Sequence, residues 1–111
     1  MIHTLRLDNK YFNLIKKGTK TIEMRLYDEK RRLINKNDKI EFINRETGEK
    51  LITQVVNLHI YNSFEELYNE FDNISLGYGE SEIKNPKDME KYYTKEEQNK
   101  YGVVGIELKL I

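Results

Sequence analysis

Apolar and polar positions change period several times along the chain. Ile2, Leu5 and Leu7 fall in near alternation over Met1 to Leu7, which predicts a first strand. After Asp8, whose carboxylate suits an N-cap, Tyr11, Phe12, Leu14 and Ile15 recur at helical spacing. Lys16 and Lys17 then place cations at the negative end of that helix, and Gly18 ends it with left-handed backbone. Past this corner Ile22, Met24 and Leu26 alternate with Thr21, Glu23, Arg25 and Tyr27, predicting a strand with one aliphatic face and one polar, charged and aromatic face. Lys20 stands where that strand has hardly begun, so parity does not fix its direction.

The run Asp28 to Arg32 predicts a turn or frayed strand end, with Leu33 and Ile34 returning to the core. Asn35 to Asp38 is turn chemistry in which Asn37 takes left-handed backbone. Lys39 to Asn44 puts Ile40 and Phe42 on one strand face, and Arg45 to Glu49 forms a hairpin loop around Gly48. Lys50 to Tyr61 is the longest strand pattern, with Ile52, Val56, Leu58 and Ile60 on one side and Thr53, Val55, Asn57, His59 and Tyr61 on the other.

Ser63 and Glu66 read as a capping box ahead of Phe64, Leu67, Tyr68 and Phe71, an apolar helical stripe. From Asp72 to Asn85 the pattern lapses around Gly77, Tyr78 and Gly79, predicting a mobile loop long enough to imply a task. Asn85 and Pro86 open a helix carrying Met89, Tyr92 and Tyr93; Thr94 with Glu97 caps another that Gly102 closes. Val104, Ile106, Leu108 and Leu110 face inward on a closing strand over Val103 to Ile111. Five or six strands with three to four short helices at their junctions give an α+β domain, a small curved sheet or partly closed barrel with helices at one end.

Composition narrows the chemistry. A chain of 111 residues supports one domain, residues 1–111, with a single core. Without cysteine there is no disulfide framework or thiolate nucleophile, and with only His3 and His59 a zinc site is disfavoured; no metal or other cofactor is expected. The opening residues lack a signal-peptide core and no apolar run spans a bilayer, so the expected location is the cytoplasm.

Formal charge is zero, yet segregated. Lys16 to Arg32 holds seven basic against three acidic residues, and Ser63 to Glu97 ten acidic against four basic. Pairing between the two halves is worth only about 0–1 kcal/mol per surface pair; the alternative is a basic recognition strip with an acidic flank.

The residues of that strip, GTKTIEMR, resemble the Gly-x-Lys-x-x-Glu-x-Arg signature of the ASCH domain family, a branch of the PUA-like barrels. The likeness continues through NDKIEF, YNSFEEL and YYTKEEQNKYGVVGIEL and so covers nearly the whole chain; Asn37, where the family often has Gly, tolerates the same backbone. The resemblance implies a small mixed β-barrel with a cleft walled by Lys20, Glu23 and Arg25. It also implies binding of an RNA segment or modified nucleoside. In that reading Lys20 and Arg25 meet phosphate or carbonyl oxygen and Glu23 accepts from a base amino group, with Tyr27, Arg31 and Tyr93 as further contacts. Of the tyrosines Tyr27, Tyr61, Tyr78, Tyr92 and Tyr93, at most two serve as stacking faces, Tyr93 first.

Some small relatives deacetylate acetylated cytidine with a Lys, a Thr three residues later and a distant Glu. Here Lys20 is kept but Glu23 replaces the Thr, Thr21 is close in sequence but at the adjoining position rather than the matching one, and Glu70, Glu80 and Glu82 are equal candidates for the distant acid. An amidohydrolase would therefore use Lys20 and Glu23 to activate water. A third reading is a protein-interaction module presenting Glu65, Glu66 and Glu70.

Overall fold

A computed structural model describes all residues, Met1–Ile111. Most period changes read above become element boundaries. The exceptions are a helical turn inside 72–85 and the helix opened by Asn85 and Pro86, which is a 3-10 helix that carries Met89 but ends before Tyr92 and Tyr93. β1 (Ile2–Leu7) leads into α1 (Asn9–Lys17), β2 (Ile22–Leu26), a 3-10 turn (Arg31–Leu33), β3 (Lys39–Asn44) and β4 (Lys50–Tyr61). The helical segment follows as α2 (Phe64–Glu70), α3 (Asn73–Leu76), a 3-10 helix (Pro86–Lys91) and α4 (Lys95–Tyr101), before β5 (Val103–Leu110) closes the chain. No helix is long and apolar enough to cross a membrane.

The five strands form one sheet in the order β1-β3-β4-β5-β2. β1 runs parallel to β3, and the other neighbours are antiparallel. The sheet curls into a half-barrel, so its two edge strands approach one another, and the Arg25 guanidinium on β2 donates to the Arg6 carbonyl on β1 at 2.8 Å. This is the small PUA-like α+β fold expected from the sequence.

Two apolar clusters lie on opposite faces. Phe12 and Ile15 of α1 pack with Leu5, Phe42, Val55, Val104 and Ile106 inside the curl. Phe64, Leu67 and Tyr68 of α2 pack with Ile22, Met24, Leu76, Met89 and Val103 outside it. β2 and β5 are thus covered on both faces, which is why every residue of β2 is buried. Phe12, Phe42 and Phe64 are fully buried, and each contributes roughly 1.5–3 kcal/mol.

Several local expectations change. Asp8 occupies the N-cap position of α1 but makes no side-chain cap bond; its carboxylate lies instead 3.9 Å from Arg45. A bulge between Val55 and Asn57 breaks the parity of β4: Thr53 and Val55 face the inner core before it and Leu58 packs there after it. The two expected faces of that strand are therefore each split, since one inserted residue reverses every later side chain. Leu33 and Leu110 were expected inside and are 64% and 45% exposed, the first in the 3-10 turn and the second at the end of β5. Ser63 does cap α2 by accepting from the Glu66 N–H, and Thr94 with Glu97 forms the complete capping box. Asn37 and Gly48 both have positive φ, as their turns require.

The stretch expected as a loop, 72–85, begins with the single turn α3, closed by Gly77 at φ +97°. Leu76 is fully buried beneath it, and the Ser75 carbonyl accepts from the Thr21 N–H at 3.1 Å. Lys84 ties the rest of the segment down by donating to the carbonyls of Tyr68 and Phe71 at the end of α2.

Candidate functional site

Gly18, at φ +89°, turns the chain so that the N–H groups of Thr19 and Lys20 both reach back to the Leu14 carbonyl. That backbone placement, rather than strand parity, drives the Lys20 side chain inward, where it is 2% exposed. Its ammonium donates to the carbonyls of Ile22 (2.6 Å) and Leu76 (3.1 Å) and lies 3.4 Å from Glu23 Oε1. The other carboxylate oxygen of Glu23 accepts from Arg25 Nε at 2.6 Å. Glu23 and Arg25 point the same way because they are two residues apart on β2, opposite Ile22 and Met24. All three charged groups are buried and converge.

Gly77 completes the arrangement: a Cβ there would stand 2.9 Å from Lys20 Cδ and 3.4 Å from the Tyr11 ring. Only glycine gives both the left-handed turn and room for the lysine stem.

Burial lowers the Lys20 pKa, with Glu23 opposing. For Glu23, burial alone would raise the pKa, but Arg25 and then Lys20 outweigh it and hold the carboxyl below its ordinary range. Burial likewise opposes the charge on Arg25, and Glu23, followed by Tyr93, more than restores it. The Glu23 carboxylate thus lies between the Lys20 nitrogen at 3.4 Å and the Arg25 guanidinium at 2.6 Å.

These groups form the floor of a cavity of about 280 Å³, which opens between the edge strands and the helical segment. Five tyrosines line it: Tyr11, Tyr68, Tyr78, Tyr92 and Tyr93. On one wall the Tyr78 hydroxyl donates to Asp88 Oδ2 at 2.7 Å and meets the Tyr68 hydroxyl at 3.0 Å. Burial pushes the Tyr68 phenol up to about 12, and burial together with the bonds to Tyr68 and Asp88 raises Tyr78 as well. Tyr11 is raised by burial and then by Asp88, Glu82, Asp8 and Glu23. Tyr93 stacks on Phe64, with ring centroids 6.1 Å apart, whereas Tyr92 at the mouth is 51% exposed.

A family model for the ASCH domain matches residues 5–111. The chain belongs to the ASCH domain family. No curated protein matches it. Among solved structures, this ASCH domain is similar to the crystal structure of hypothetical protein PH0355, at 36% identity and a TM-score of 0.85, over 100% of both chains. It also resembles the solution structure of protein PF0455 from Pyrococcus furiosus, at 34% identity and a TM-score of 0.73, over 100% of this chain and 98% of the other.

Of the residues singled out from the sequence, Lys20, Glu23, Arg25 and Tyr93 line this cavity of the ASCH domain, joined by Tyr78, Tyr92 and Glu82. Tyr27, Arg31, Tyr61, Glu70 and Glu80 are not among its lining residues. The Arg32 guanidinium covers the Tyr27 ring at 4.3 Å, and Arg31 is bound to Asp28 at 2.8 Å. Thr21 lines a separate hollow with Thr53. Sequence reasoning missed Tyr11 and Tyr68, which sit in apolar helical stripes and read there as core, and Arg6, Lys10 and Arg45, whose approach depends on the pairing of β1 with β3.

Proposed function

We propose that this ASCH domain holds one nucleoside unit, modified or within a single-stranded RNA segment, in the cavity above Lys20, Glu23 and Arg25. The observation that supports this most is the convergence of those three buried charges beneath a ring of tyrosines. A carboxylate and a guanidinium side by side offer an acceptor beside donors, the pattern that the edge of a base complements. The volume, about 280 Å³, is near the lower end of small-molecule sites, about 300–1,000 Å³, and suits a single unstacked base rather than a duplex. Tyr92, exposed at the mouth, is the stacking face, while Tyr93 is already stacked on Phe64 and turns its hydroxyl toward Arg25.

Binding fits the geometry better than amide hydrolysis does. Both Glu23 oxygens face cations and its pKa is held low, which makes it a weak base; the Lys20 ammonium already faces three acceptors.

Titration with nucleosides and short single-stranded RNA, followed by amide NMR shifts, tests the reading. Saturable shifts are expected at Glu23, Arg25, Gly77 and Tyr93, and Tyr92→Ala should weaken binding by about 1–3 kcal/mol, roughly 5- to 150-fold. Shifts confined to another surface, or unchanged affinity in Tyr92→Ala together with no shifts on β2, would reject it.

A further inference from the structure

The mouth of the cavity carries cations that no base contact uses. Arg6 ends the exposed row of β1, Lys10 lies in the first turn of α1, and Arg45 follows β3. The parallel pairing brings these segments together: Leu7 is in register with Asn44, and the Arg45 N–H donates to the Leu7 carbonyl at 2.9 Å. All three side chains line the same cavity and are exposed. Neither Arg6 nor Lys10 takes part in an ion pair, and Arg45 has only Asp8 at 3.9 Å.

The facing carboxylates are differently placed. Asp88 accepts from the Tyr78 hydroxyl at 2.7 Å, and Glu82 accepts from the Gly79 N–H at 2.7 Å. The side of the mouth formed by Arg6, Lys10 and Arg45 therefore has donors with only Asp8 nearby, whereas the facing side mixes engaged acceptors with the single cation Lys91. In a chain of zero formal charge this imbalance acts only locally, over about the 10 Å screening length at 0.1 M salt.

Resting on the nucleoside reading above, we propose that Arg6, Lys10 and Arg45 form a phosphate subsite, so that the occupant is a nucleotide bearing a phosphomonoester rather than a bare nucleoside. Such a group carries about −1.5 to −2 charges at neutral pH and three acceptor oxygens, which matches three cations moderated by one carboxylate. Arginine supplies the planar fork for phosphate oxygens, and lysine a point charge. A bare nucleoside leaves all three unused. The same chemistry occurs on a free nucleotide and at the end of an RNA strand.

Calorimetric titration of the full chain tests this, with cytidine, uridine, adenosine and guanosine each beside its 5′- and 3′-monophosphate in about 50 mM salt. At least one monophosphate should bind about tenfold or more tighter than its nucleoside, a difference of about 1.4 kcal/mol. Lys10→Gln with Arg45→Gln should reduce that ratio to about twofold or less while leaving nucleoside affinity in place, and Asp8→Asn should widen it. Tetranucleotides with and without a terminal phosphate separate the two sources: tighter binding of the phosphorylated strand than of the free nucleotide assigns the subsite to strand ends, and the reverse assigns it to free nucleotides. Equal binding of nucleoside and monophosphate, or a ratio preserved in the double variant, overturns the phosphate subsite and leaves the base site standing. Binding of neither ligand overturns both.

Discussion

Replacing Glu23 by Gln tests the arrangement of charge directly. The side chain is 7% exposed and Gln keeps its shape, so the change removes the negative charge between Arg25 at 2.6 Å and Lys20 at 3.4 Å and turns one accepting oxygen into an amide nitrogen that only donates. Losing one partner of a buried ion pair costs about 3–5 kcal/mol, and here it leaves two cations without a counter-charge. Against a total stability of about 5–15 kcal/mol, that corresponds to a fall in melting temperature of roughly 10–25 °C. The loss should also depend on pH in a defined sense. Burial already holds Lys20 below the ordinary lysine pKa and Glu23 is what opposes the shift, so Glu23→Gln lowers it further. Between the folded value and the unfolded value of about 10.4, the unfolded chain binds more protons than the folded one, and stability rises with pH, by up to about 1.4 kcal/mol per unit. Urea unfolding followed by circular dichroism at a series of pH values should therefore show a variant that trails the parent most near neutrality and recovers part of the gap in alkali. A deficit below about 1 kcal/mol, or one that stays constant with pH, would refute the reasoning.

Two further outcomes follow from the site's walls. Gly77→Ala combines left-handed backbone, about 1–2 kcal/mol, with overpacking against Lys20, about 1–3 kcal/mol. Gly48→Ala, at φ +76° with nothing within 4 Å, carries the backbone cost alone, so equal urea midpoints for the two variants would exclude the contact with Lys20. Ultraviolet titration of the tyrosines should show a phenol ionising near pH 12 that disappears in Tyr68→Phe. Because the folded value lies above the unfolded one of about 10, the stability linked to Tyr68 is complete below pH 10 and is lost as pH rises toward 12; a parent with flat alkaline stability and only ordinary phenols contradicts this.

Much of the fold is legible in the sequence because its signals are local. The glycine corner at Gly18, the box at Thr94 and Glu97, and the alternation that points Glu23 and Arg25 the same way each depend on a few neighbouring residues. What escaped is long-range. The inward path of Lys20 is set by Leu14 and Leu76, the β4 bulge inserts one residue without any composition signal, and α3 is too short to show a period. The cavity needs Tyr11 and Tyr68 as well as Tyr92, and a tyrosine in a helical stripe looks the same whether its hydroxyl meets core or ligand. The identity of the strip could be read; the shape of the hollow above it required the sheet to curl.

That curl has a consequence for how the molecule behaves in a crowded solution. A sheet rim with free N–H and C=O groups invites strand addition from another chain, and long flat rims nucleate aggregates. Here β1 and β2 face each other across the seam instead of facing outward, Lys20 occupies the Ile22 carbonyl and Arg25 the Arg6 carbonyl. The buried charges on the cavity floor thus also guard the two rims against self-association, and a substitution that opens the seam should be detected first as turbidity.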